Sequence, residues 1–102
     1  MPFADILPTL PDVSHLAALQ LIDAGGTVVA TLENKPGQAG SLRVYHALAQ
    51  RHGGSITPAA AAEGLALYAE HTADAQAFPG KHPNIDRLLA LTAPLRVALV
   101  PA

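Results

Sequence analysis

Apolar and polar side chains alternate along Thr27–Glu33. Val28, Ala30 and Leu32 fall on one side, and Thr27, Val29, Thr31 and Glu33 on the other. Successive side chains of a strand point to opposite faces, so the pattern predicts a strand over 27–33 with the first set toward a core. A second run, Leu19-Gln20-Leu21-Ile22-Asp23, precedes it across Ala24-Gly25-Gly26. β-Branched residues on both sides of a glycine pair predict a hairpin. Near the end, Leu95-Arg96-Val97-Ala98-Leu99-Val100 is apolar on both faces apart from Arg96. That pattern predicts a covered or central strand, paired with the hairpin.

Between the second and last strands the pattern turns helical. Asn34-Lys35-Pro36-Gly37-Gln38-Ala39-Gly40 is a turn segment, and Ser41 has the chemistry of an N-cap. A helix follows to about His52, with Leu42, Tyr45, Leu48 and Ala49 on one stripe. Arg51 and His52 suit its C-terminal dipole, and Gly53 or Gly54 supplies a left-handed cap. Thr57-Pro58 is a start signal, a cap followed by proline at the first helical position. The helix it opens is expected to run to about Ala77. Ala61, Ala62, Leu65, Tyr68, Ala69 and Thr72 make its inner face, and Glu63, Glu70 and Asp74 an acidic one. Leu67, His71 and Phe78 lie beside the acidic face, as a surface for a third helix or a partner. Asn84 caps a short last helix with Ile85, Leu88 and Leu89 inward. Pro2, Pro8 and Pro11 make residues 1–17 an arm with at most one helical turn. The expected fold is a single α+β domain over 1–102: a three-stranded, mainly antiparallel sheet, elements in the order β-β-α-α-α-β, with helices packed on one face.

Composition adds a partner. Half of the 102 residues are apolar and only 14% are charged, against about 25% in an average domain. Mean hydropathy is +0.27. A domain this small cannot cover all its apolar side chains alone, so self-association as a homodimer is expected, with Leu67 and Phe78 as its surface. The net charge is −2, the six Lys and Arg residues are scattered, and aromatics are 4%. Without a basic stripe or a stacking platform, nucleic-acid binding is not expected. The absence of cysteine excludes disulfides, thiolate catalysis and Cys-type zinc sites and suits a reducing cytoplasm. The start, Met1-Pro2-Phe3-Ala4-Asp5, lacks the basic region of a signal peptide, and no apolar run approaches the ~18 residues of a membrane span. A cytoplasmic protein is the expectation.

Two clusters carry candidate chemistry. Lys35, Gly37, Gly40 and Ser41 stand before and at a helix N-terminus, where bare backbone N–H groups and the dipole favour an anion. The segment is not a P-loop, because no Lys-Ser or Lys-Thr follows the last glycine, and a Pro-Gly type II turn accounts for the same residues. His71, Asp74 and His82, with Glu70 and Asp86 nearby, form the second cluster. Imidazole plus carboxylate suits zinc, manganese or iron, although the spacing matches no named metal motif. Ser14, Ser41 and Ser55 lack a nucleophile-elbow context, and His15, His46 and His52 are assigned structural roles. No cofactor is called for.

The chain carries two resemblances. Glu33-Asn34-Lys35-Pro36-Gly37, then Leu42, Leu48, Ala49, Gly53 and Ile56, resemble the first strand and helix of ACT-type regulatory domains over residues 28–56. The resemblance implies a βαββαβ fold, dimerisation and a small ligand near that loop. Where that family has a hairpin, this chain has the alanine-rich segment after Thr57-Pro58. Over most of its length the chain resembles a small uncharacterised bacterial family. The carriers are Glu33–Gly37 with Gly40-Ser41, Tyr68-Ala69-Glu70-His71-Thr72, and Gly80–Leu88. This resemblance implies no activity. The reading that follows is a non-catalytic small-ligand or regulatory module acting as a homodimer. The alternatives are a small metal-dependent enzyme using the His71/His82 region and a purely structural interaction protein.

Overall fold

The hairpin forms where the glycine pair places it. In the computed structural model, which describes residues 1–102, β1 (Leu16–Ile22) and β2 (Val28–Glu33) run antiparallel. The Asp23 carboxylate organises the turn, accepting from the N–H groups of Gly25 (2.9 Å) and Thr27 (3.0 Å). The last strand, β4 (Leu95–Pro101), pairs antiparallel with β1 along its length. On its other side β4 pairs with a two-residue strand, β3 (Ser55–Ile56). The sheet therefore has four strands in the order β2-β1-β4-β3, not three. The expected internal position of β4 holds.

Val28 departs from the expected face. Leu32 is buried and Ala30 packs on the core, but Val28 is 46% exposed. The register shifts between Leu21 and Ile22, which pair with Ala30 and Val28. Val29 is thereby left unpaired, and such a bulge breaks the simple alternation.

Three helical segments occupy the sequence between β2 and β4 outside α2. The first helix after the hairpin, α2 (Ala39–Arg51), buries Leu42, Tyr45, Leu48 and Ala49 as the stripe predicts. It begins before Ser41, so Ser41 lies in its first turn and is not its cap. After β3 come α3 (Pro58–Leu67), α4 (Glu70–Ala77) and α5 (Pro83–Leu89). Thr57 caps α3 as expected, its hydroxyl accepting from Ala60 N–H at 3.0 Å. The single long helix to Ala77 does not exist. It breaks at Tyr68-Ala69, where Ala69 takes φ +52°, a region an L-alanine enters only under strain. The Thr72 hydroxyl donates to the Leu65 carbonyl at 2.6 Å, and Ala69 N–H turns to Ala66 (3.1 Å) in place of that carbonyl. The acidic face dissolves with the break. Glu63 pairs with Arg51 and His52, Glu70 accepts from Phe3 N–H, and Asp74 takes His82 and Lys81.

The core lies between one sheet face and the helices. Leu19, Leu21 and Leu32 meet Leu42, Val44, Tyr45 and Leu48 of α2. Helix α3 reaches this layer through Gly64: a Cβ there would stand 2.8 Å from the Cδ1 atoms of both Leu48 and Leu88. Only a residue without a side chain lets α2, α3 and α5 approach so closely. In α5, Ile85 and Leu88 are buried, but Leu89 is 39% exposed, a departure from its expected inward place. The helix starts at Pro83, so Asn84 is not its cap.

The proline-punctuated arm is part of this core. A one-turn helix, α1 (Phe3–Ile6), and a 3-10 turn at Leu7–Thr9 lead to buried Leu10 and Val13. Arg43 fixes the arm from α2, donating to the carbonyls of Leu10 (2.7 Å) and Pro11 (3.1 Å). No helix is long and apolar enough to cross a membrane.

Candidate functional site

The two clusters of the sequence meet in one cleft of about 340 Å³. Gly37, Gly40 and Ser41 come from the turn and first turn of α2, His71 from α4, and Lys81 and His82 from the loop before α5. Phe3 and Tyr68 close it. The break between α3 and α4 explains the convergence, because it turns Tyr68 inward and folds α4 back toward α2.

Donors line the α2 side. Gln38 and Ala39 N–H bond to the Lys35 carbonyl at 3.0 and 2.9 Å, and Leu42 N–H to Gln38. With Gly37 at φ +90°, the Lys35–Gln38 bond is the type II turn expected from Pro36-Gly37. The N–H groups of Gly40 and Ser41 have no protein partner, as befits the first turn of a helix. Gln38 does not cap them, since its side-chain oxygen accepts from Glu33 N–H at 3.0 Å. The Ser41 hydroxyl accepts from Tyr68 OH at 2.8 Å. Burial raises the Tyr68 pKa, and the bond to Ser41 opposes the rise, so the phenol stays neutral and donates.

The α4–α5 side carries the charge. His82 Nε2 donates to Asp74 Oδ2 at 2.6 Å, and Lys81 Nζ stands 3.0 Å from the same oxygen. The His82 hydrogen bond, then that from Lys81, holds the Asp74 carboxyl below the usual carboxylate range. The rings of His71 and His82 lie 5.7 Å apart, and Phe3 sits edge-on to His71 at 5.2 Å and stacked on Tyr68 at 5.4 Å. Phe3 is held there by its N–H bond to Glu70 at 2.7 Å. That bond is the main reason the Glu70 pKa is lowered.

Lys35 lies outside the cleft, paired with Glu33 on an exposed stretch. Lys81 occupies the place expected of it, and nothing in the local sequence pattern singled Lys81 out. Asp74 and His82 are joined and His71 is nearby, but no three His, Asp or Glu side chains gather as metal ligands do. Asp86 accepts from Gly80 N–H at 2.9 Å and shapes the loop. Tyr68 and Phe3 were missed as site residues, because their roles depend on the helix break and on the arm folding back.

The order of elements differs from the βαββαβ of ACT-type domains. No curated protein and no solved structure matches the chain. A family model described as an uncharacterized protein conserved in bacteria (DUF2322) matches residues 3–99. The chain belongs to that bacterial family, whose pattern runs from α1 into β4.

Proposed function

We propose that this chain is a non-catalytic module that holds a small anionic molecule in the cleft and works as a homodimer. The observation that carries the reading is the pairing of free donors with a cation. Gly40 and Ser41, whose N–H groups are unpartnered, line the same cleft as Lys81 and His71. A carboxylate or phosphate there meets the positive end of α2 and the ammonium of Lys81. Binding is weak where the cleft opens to solvent and salt screens the charges.

Titration with phosphate, citrate and amino acids, followed by amide NMR shifts, tests it. Saturable shifts at Gly37 to Leu42 that vanish in Lys81→Ala and persist in Lys35→Ala support the reading. Shifts confined to other regions reduce the segment to a turn.

The dimer rests on apolar surface with no cover in the chain. Phe78 is 58% exposed, whereas Leu67 packs against its own core. On the sheet face away from the helices, Ala98 and Val100 are half-buried, whereas Ala18 and Ile22 beside them are covered within the chain. Sedimentation across micromolar concentrations is expected to show twice 10.5 kDa. A monomer throughout that range ends the dimer proposal.

A further inference from the structure

At the other end of α2, helix and sheet do not close. A cavity of about 390 Å³ lies between Ala49, Val97 and Leu99, with Gly53 and Gly54 at its rim, within the ~300–1,000 Å³ of small-molecule sites. A Cβ built on either glycine meets nothing within 4 Å. The gap exists because β3 is so short. It pairs only with Leu95 and Arg96, and Val97 N–H then bonds to the Gly54 carbonyl at 2.9 Å. By the alternation of an antiparallel ladder, the N–H and C=O of Leu99 point the same way and find no strand. Leu99 is accordingly 45% exposed on an internal strand.

Two polar side chains, His46 and Gln50, line this otherwise apolar space, and of these Gln50 is exposed. His46 is 3% exposed, and its Nδ1 is buried with no hydrogen-bond partner. The neighbouring ring of His15 meets it edge-on at 5.7 Å and supplies no hydrogen bond. Burial, and then the nearby His15, lowers the His46 pKa. The neutral ring offers one donor and one acceptor. Buried polar groups in native proteins are nearly always paired, so an orphan calls for an explanation.

We infer that this cavity is a second ligand site, taking a small uncharged molecule with an apolar body and one hydroxyl that hydrogen-bonds to His46. No Lys, Arg, Asp or Glu lines the cavity, and an anion or cation there has no counter-charge. The site shares no residue with the cleft, so it stands or falls separately from the anion reading.

The probes are phenol and its hydroxyl-free counterpart toluene, each titrated into the full chain while amide shifts are followed. The expected result is saturable movement of Gly53, Gly54 and Leu99 with phenol. In His46→Leu, phenol binding weakens about fivefold, the worth of one hydrogen bond, and toluene binding does not weaken. Leu99→Phe, a change at an exposed rim position, narrows the cavity and weakens both probes. No saturable shift at those three amides with phenol overturns the inference. So does equal weakening of phenol and toluene in His46→Leu.

Discussion

The hydroxyl of Tyr68 donates to the hydroxyl of Ser41 across 2.8 Å, joining the break between α3 and α4 to the first turn of α2. The two residues are 27 positions apart, and this bond is what makes one cleft out of two distant segments. Tyr68 is buried and the bond is partly so, and an unmade bond at such a site is costly. Tyr68→Phe keeps the ring stacked on Phe3 and removes the bond alone. The expected loss is about 1 kcal/mol of stability, read from urea unfolding. An unchanged midpoint would show that the bond does not hold the break in place.

Ala69 is the one non-glycine residue with positive φ. Glycine populates that region freely, at the cost of more entropy in the unfolded chain. Strain of ~1–3 kcal/mol at such a position exceeds that entropy cost of ~0.5–1 kcal/mol. Ala69→Gly is therefore expected to stabilise the fold by about 1 kcal/mol. A lower thermal midpoint in Ala69→Gly contradicts the strain argument.

Gly64 sets two effects against each other. Alanine is the better helix former by ~1 kcal/mol. Its methyl, however, would stand 2.8 Å from Leu48 Cδ1 and Leu88 Cδ1. Both leucines are buried, so neither can swing away freely, and overpacking costs ~1–3 kcal/mol. Gly64→Ala is expected to destabilise by about 1 kcal/mol net. Chemical denaturation showing a gain in stability would mean that both leucines repack without cost.

His46 gives the fold a pH dependence near neutrality. Its folded pKa lies below the ordinary 6.5, through burial first and then His15. The unfolded chain thus binds the proton more readily, and stability rises with pH wherever that holds. Stability is expected to fall as pH drops through 6.5 and to level off below the folded pKa. The shifted carboxyls act elsewhere. Asp12, Glu63, Glu70 and Asp74 have lowered pKa values, so what they contribute is present above the ordinary carboxylate range and lost as pH falls through their folded values. His46→Leu should flatten the slope between pH 5 and 7 and raise stability at pH 6, since it removes a buried polar atom without a partner. The same slope in His46→Leu assigns the effect to another histidine.

Much of the fold was legible residue by residue. Asp23-Ala24-Gly25-Gly26 ends one strand and begins the next, Thr57-Pro58 opens a helix, and the doubly apolar Leu95–Val100 lies inside the sheet. Each of these depends on side-chain period or turn chemistry within a few residues, which the local sequence carries in full. Gly37, Gly40, Ser41, His71 and His82, each a candidate from its own local pattern, line one cleft.

Tertiary structure alone decided the rest. The stretch from Pro58 to Ala77 has the composition of one helix, because alanine and its neighbours favour helix at nearly every position. Its break at Ala69 accompanies the bonds from Tyr68 to Ser41 and from Thr72 to Leu65. Strand β3 is two residues long, too short for any periodicity to show, and exists because β4 lies beside it. Arg43 holds carbonyls more than thirty positions away, which turns a proline-rich arm into part of the core. Lys81 stands in the cleft where Lys35 was expected, because the folding back of α4 brings the loop before α5 to the start of α2. Local sequence sets what each segment can form; contacts between distant segments set which of those forms is kept and which side chains meet.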